Sequence, residues 1–243
     1  MSIDDRPTLT ARLLSEQYKY TEDGMSISGQ LSGIGLAGSQ KFFAGFILSG
    51  DLQYLSGSPH YDGQLQSGDP LEASSRDSYY EVRGLIGRDD LILSPKAYVD
   101  WSLGMGYRAL KNQIQDKAGY RREQSYQYLP ALLGFNFSAM GLEFRAGAEY
   151  DIFLEGQNTT HLEDVSSELP PLHLKQHSGS GQRLSFSVQK KLKSMTLLAR
   201  MDYTKWHVED SEYKDVTLGD QTAWFYEPNN KTETTALSLG LSY

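Results

Sequence analysis

The chain has no cysteine among its 243 residues, which excludes disulfides, thiolate metal sites and a cysteine nucleophile. Positive charge is also scarce: 23 Lys and Arg stand against 31 Asp and Glu, for a net charge of -8. The basic doublets are Arg121-Arg122 and Lys190-Lys191, too small a footprint for nucleic-acid binding. No apolar run approaches the length of a transmembrane helix, and mean hydropathy is -0.50. Helical spans are therefore excluded, whereas membrane strands, whose hydropathy signal is much weaker, are not. The opening "MSIDDRPTL" lacks a basic n-region and an apolar h-region, so for an exported protein the expectation is a mature chain, without signal peptide, behind an added Met1.

What the sequence has instead is period-two alternation. "LEFRAGAEYDIFLE" places Leu142, Phe144, Ala146, Ala148, Tyr150, Ile152 and Leu154 on one face, against Glu143, Arg145, Gly147, Glu149, Asp151, Phe153 and Glu155. Successive strand side chains point to opposite sides, so one face is apolar and the other largely charged. "AYVDWSLGMGYRAL", "FFAGFILSGDLQY" and "MTLLARMDY" divide in the same way. A soluble barrel would bury the apolar set in its core and bind an apolar ligand there; a membrane barrel would turn that set toward lipid.

Segments of this kind predict about ten strands, near 8–21, 25–37, 41–55, 78–88, 95–110, 125–137, 141–155, 182–191, 195–207 and 233–243, with the phase of the first two ambiguous. Short turns at 38–41, 138–141 and 191–194, and a longer "GRDDLILSP" at 87–95, alternate with long polar loops near 56–77, 111–124, 156–181 and 208–232. Only the first hairpin, at "TEDGM", breaks the contrast. Short periplasmic turns facing long extracellular loops are a membrane-barrel pattern. The expected architecture is all-β: one domain over 1–243, an antiparallel up-and-down transmembrane barrel with extracellular loops at those four places.

The aromatics divide into two sets, Tyr54, Tyr80, Tyr107, Tyr150, Tyr203 and Trp206 toward the long-loop end and Phe42, Trp101, Phe137, Phe144 and Tyr243 toward the short-turn end. Two such belts around an aliphatic band suit the two membrane interfaces. The final strand, "TETTALSLGLSY", aligns Leu237, Leu239, Leu241 and the terminal Tyr243 on one face. It resembles the C-terminal assembly signal of bacterial outer-membrane β-barrel proteins, with Tyr in place of the usual terminal Phe. The resemblance implies a bacterial outer-membrane location, contact with outer-membrane lipid and lipopolysaccharide, and engagement of the outer-membrane assembly machinery.

On that orientation the lumen holds a network of both signs: Asp51, Glu81, Arg108, Asp151 and Asp202 toward the outside, Arg83, Glu149 and Arg200 near the middle, and Asp100, Glu143 and Arg145 toward the periplasm. The inward glycines Gly45, Gly104, Gly106, Gly134 and Gly147 would leave room for a thin water path. The expected function is structural or binding, with a narrow porin-like channel as one form of it and an extracellular ligand at the loops as another. An outer-membrane enzyme is the alternative. Omptin proteases resemble the chain in strand count, but Asp89-Asp90 falls at the short-turn end and His207 does not stand two residues after an aspartate. Lipid A-modifying barrels use a His with a Ser, and no serine is evidently paired with a histidine in the sequence. The five histidines lack zinc-enzyme spacing, so no catalytic residue, metal site or cofactor is expected.

Overall fold

The computed structural model describes residues 7–64, 68–117, 119–218 and 221–243, with backbone alone at Asp90, 216–218 and Gln221. The segment 1–6, and the parts of the expected loops that fall between these ranges, lie outside the described residues.

Alternation builds strands throughout. They are β1 (Thr8–Glu22), β2 (Met25–Lys41), β3 (Phe46–Gly57), β4 (His60–Gln64), β5 (Pro70–Ser94), β6 (Ala97–Ile114) and β7 (Arg121–Ala139). The second half adds β8 (Leu142–His161), β9 (Leu172–Gln176), β10 (Gly179–Lys191), β11 (Thr196–Val208), β12 (Lys214–Leu218), β13 (Gln221–Phe225) and β14 (Asn230–Ser242). Ten of them form an antiparallel meander, β1-β2-β3-β5-β6-β7-β8-β10-β11-β14, which closes where β14 pairs with β1. β4 bridges β2 and β5 above the end of β3, β9 extends the sheet beside β8, and β12 with β13 forms a separate hairpin.

The apolar face is outside. Leu13, Leu103, Met105, Leu133, Ile152, Leu184, Leu237 and Leu239 are each at least half exposed, while Arg12, Glu81, Arg83, Arg108, Glu149 and Asp151 are buried inside the ring. Each Leu or Ile side chain gains about 1.5–3 kcal/mol on leaving water, so a wall of them is stable against lipid. This overturns the soluble-barrel alternative, whose apolar face must point inward. Near the short-turn end Phe135, Phe137, Phe144 and Phe186 make a run of ring contacts, with Phe137 and Phe144 stacked at 4.7 Å. Near the other end Tyr80 packs on Tyr107 at 5.8 Å, and Tyr54, Tyr150 and Tyr203 are exposed.

Several expectations are corrected. Trp206 is not in the outer belt; it is fully buried in the interior. "GRDDLILSP" is not a turn, because β5 continues through it to Ser94 with a register shift between Arg88 and Leu91. A bulge of this kind absorbs extra residues without ending a strand. β3 starts at Phe46 because a tight turn precedes it, with Ala44 and Gly45 at positive φ. The segments expected as loops at 56–77, 111–124, 156–181 and 208–232 carry much strand: β5 begins at Pro70, β6 runs to Ile114, β8 reaches His161 and β14 begins at Asn230. These strands stand well beyond the aromatic belt, and there the barrel has an apolar interior of its own, including Tyr20, Ile27, Leu31, Leu55, Tyr61 and Leu110.

Candidate functional site in the barrel interior

Inward positions recur at every second residue, so neighbouring strands stack their polar side chains in layers. At the short-turn end Arg145 of β8 reaches past β7 to Asp100 of β6, with Nη2 to Oδ2 at 2.7 Å, and Asn136 donates to the same carboxylate. Gly134 lies between them; a Cβ there would overlap both charged groups. Lys41 pairs with Asp89 at 3.3 Å nearby, and Glu143 is exposed at this mouth.

The middle layer is denser. Arg83 bonds Glu149 and lies 3.6 Å from Asp51, which also pairs with Arg12. Arg183 Nη2 reaches both oxygens of Glu81 at 2.9 Å. The Tyr128 hydroxyl and the Gln53 amide donate to Glu81 as well, at 2.6 and 2.9 Å. Arg200 is bidentate to Asp202 of its own strand at 2.6 and 2.7 Å. Asp151 is fully buried, with neither oxygen hydrogen-bonded to any described residue. Arg83–Glu149 and Arg183–Glu81 span the bore, whereas Arg83–Asp51 and Gln53–Glu81 join register partners on adjacent strands. The cavity among Arg12, Glu16, Glu81, Arg83, Arg108 and Arg183 measures about 20 Å³, room for roughly one water molecule. The water path expected beside Gly106 is filled by the Tyr128 ring.

Above the charges comes an aromatic layer. Trp206 meets Tyr128 edge-on at 4.9 Å and Tyr126 at 5.9 Å, and Phe153 joins Tyr126 at 5.6 Å. Arg108 lies over the Tyr79 ring at 4.8 Å, and the Tyr79 hydroxyl donates to Glu16 at 2.6 Å.

The outer mouth is capped. Arg122 Nη1 donates to Glu22 at 2.8 Å and to Glu227 at 3.0 Å, over the Tyr20 ring. Gln124 donates to Glu227 at 2.9 Å and to the Tyr20 hydroxyl at 3.0 Å. Glu227 comes from the β13–β14 connection, tied to the β11–β12 connection because the Ser211 N–H donates to its carbonyl and its own N–H donates to Ser211 Oγ. Burial pushes its carboxyl up to about 7; Arg122 opposes the shift and Glu22, competing for the same guanidinium, adds to it.

Sequence reasoning missed Arg12, Glu16, Arg183 and the Glu22–Arg122–Glu227 cluster. Arg12, Glu16 and Arg183 carried a signal, since they alternate in phase with other inward positions. Glu227 carried none, because an irregular connection has no period.

Four of the five histidines have separate partners: His161 with Glu163 at 2.7 Å, His173 with Thr159 at 3.0 Å, His177 with Glu212 at 3.3 Å and His207 with Glu209 at 3.0 Å. Ser180 stands across from His207 in the strand register. His207 Nδ1 is nevertheless without a hydrogen bond, so no nucleophile–base contact is made.

A closed ten-stranded antiparallel barrel with an apolar outer wall and a charged interior has the architecture of bacterial outer-membrane β-barrels. No family model and no curated protein matches the sequence. The fold is similar to the translocator domain of the autotransporter NalP from Neisseria meningitidis, with a TM-score of 0.51 and 10% identity over 100% of this chain and 89% of that one. The β domain of the Bordetella autotransporter BrkA gives a TM-score of 0.45 at 16% identity over 98% and 99%. The Ralstonia pickettii toluene transporter TbuX gives 0.41 at 8% over 99% and 90%. At these identities the likeness is one of fold.

Proposed function

We propose that this chain is a closed outer-membrane barrel whose interior is a structural plug, and whose binding surface is its long-loop end, outside the cell. The observation that carries this reading is the filled bore: paired charges leave about 20 Å³ in the middle layer, and aromatic and apolar layers follow it outward. A buried ion pair is held in place when both partners find each other, and breaking one is costly, so the layer resists opening. The cap through Glu227 adds a second closure. The hairpin β12–β13 and its connections carry Tyr213, Trp224 and Tyr226, all exposed, which suits contact with an extracellular ligand. The outward Leu237, Leu239, Leu241 and Tyr243 are proposed as the signal read by the assembly machinery.

Planar-bilayer recording of the folded chain tests the plug. The expected trace is flat at both polarities; discrete, repeatable openings would replace this reading with the narrow channel.

A further inference from the structure

The outer wall at the barrel seam has a graded composition. β14 lies between β1 and β11, and its outward rows read directly from the register. From the short-turn end they are Ala11–Leu241–Leu197, Leu13–Leu239–Ala199 and Ser15–Leu237–Met201, then Gln17–Thr235–Tyr203. The next row is Lys19–Glu233–Lys205, and the one beyond it is Thr21–Lys231–His207. Largely aliphatic rows thus give way to a polar row carrying Tyr203 and then, within two residues, to a lysine cluster.

We propose that Lys19, Lys205 and Lys231 form a binding site on the barrel wall for the phosphate groups of an outer-leaflet lipid, the phosphorylated glycolipid headgroup of lipopolysaccharide. The inference rests on the reading that the long-loop end faces outward. Three arguments support it. The first is height: a strand advances about 3.3 Å per residue, so Lys19 and Lys205 stand one row and Lys231 two rows above Tyr203, where an aromatic belt meets the headgroups. The second is charge. In a chain of net charge -8 these two rows hold three lysines against one carboxylate, Glu233, which engages Lys205 at 3.3 Å. The third is the surround. The flanking outward positions are Ser26, Ser28 and Gln30 of β2, paired with β1, and Ser180 and Gln182 of β10, paired with β11. All are small or neutral hydrogen-bonding groups; the carboxylates bordering them are Asp62, in register with Ser26, and Glu209, which engages His207 at 3.0 Å. Lysine side chains reach along apolar surface while holding the ammonium at the headgroups, which lets three strands converge on one phosphorylated sugar.

The test is native mass spectrometry of the detergent-folded, delipidated full chain with lipid A carrying its phosphates, the same lipid A dephosphorylated, and inorganic phosphate as competitor. The wild-type chain retains phosphorylated lipid A, and the dephosphorylated form binds at least about tenfold more weakly. The triple variant Lys19→Gln, Lys205→Gln, Lys231→Gln loses affinity for the phosphorylated form by a similar factor. A control with equal charge change on other walls, Arg76→Gln, Lys111→Gln, Lys175→Gln, retains it. Glu233→Gln binds more tightly, which keeps the idea testable should the triple variant not fold. Unchanged retention in the triple variant, equal loss in the control, indifference to dephosphorylation, no gain in Glu233→Gln, or displacement by inorganic phosphate would each overturn the site. Ion conductance by the barrel would instead overturn the plug and leave these affinities as they are.

Discussion

Arg83 holds both oxygens of Glu149, at 2.8 and 3.0 Å, from a strand three places away around the wall. This is a tie across the bore, and its other hand rests near Asp51 at 3.6 Å. Arg83→Met removes the cation that Glu149 and Asp51 share, leaving Glu149 with Arg183 Nε at 3.7 Å and Asp51 with Arg12, and the expected loss of stability is about 3–5 kcal/mol. Adding Glu149→Gln recovers most of it. Urea-induced unfolding in lipid vesicles, followed by the heat-dependent gel shift of the folded barrel, measures both.

The Arg145–Asp100 pair depends on the missing side chain of Gly134. Gly134→Ala forces the pair apart, at an expected cost of about 1–3 kcal/mol. The same substitution combined with Asp100→Asn and Arg145→Met is expected to add little further loss, since the groups it displaces are no longer charged. Vesicle unfolding midpoints of the three chains decide this.

The cap at Glu227 responds to pH with a definite sign. Burial raises its folded-state value to about 7, above the ordinary carboxyl, so the folded cap binds a proton more tightly than the unfolded chain does. Its contribution is fully present below about pH 4.5 and is lost as pH rises through about 7. Protease cleavage in the 209–229 segment is expected to be faster at pH 8 than at pH 5 in the wild type. In Glu227→Gln the two rates should agree.

Trp206 and Trp224 are opposites: the first is fully buried among Tyr126 and Tyr128, the second is 74% exposed. Trp206→Ala is expected to cost about 3–5 kcal/mol, and Trp224→Ala to stay within about 0.5 kcal/mol. Removing Trp206 shifts the mean fluorescence emission to the red; removing Trp224 shifts it to the blue.

The ten wall strands were legible because lipid imposes one rule on every strand it touches. Where Leu142 to Leu154 cross the membrane, apolar means outward and charge means inward. The rule reverses once a strand leaves the membrane. In β1, Leu9 and Leu13 face out, whereas Leu14, Tyr18 and Tyr20 face in. The ambiguous phase of that strand in the sequence is this change of solvent, from lipid outside to water outside. Trp206 was misplaced for the same reason: it is an apolar residue just beyond the belt, where apolar side chains turn toward the axis. Cross-bore partners were illegible on other grounds. Alternation gives the side of the wall, not which strand stands opposite, so Arg183 and Glu81, 102 positions apart, could not be matched before the ring was closed.

The seam has a temporal consequence. β1 and β14 are adjacent in space, with Thr21 and Lys231 in register 210 positions apart, so the first strand made waits for the last before its free edge is covered. Contacts this remote along the chain are slow to form. Throughout that interval β1 has an unpaired edge open to any other strand, and the ring gains its final ladder only when the carboxyl-terminal residues arrive.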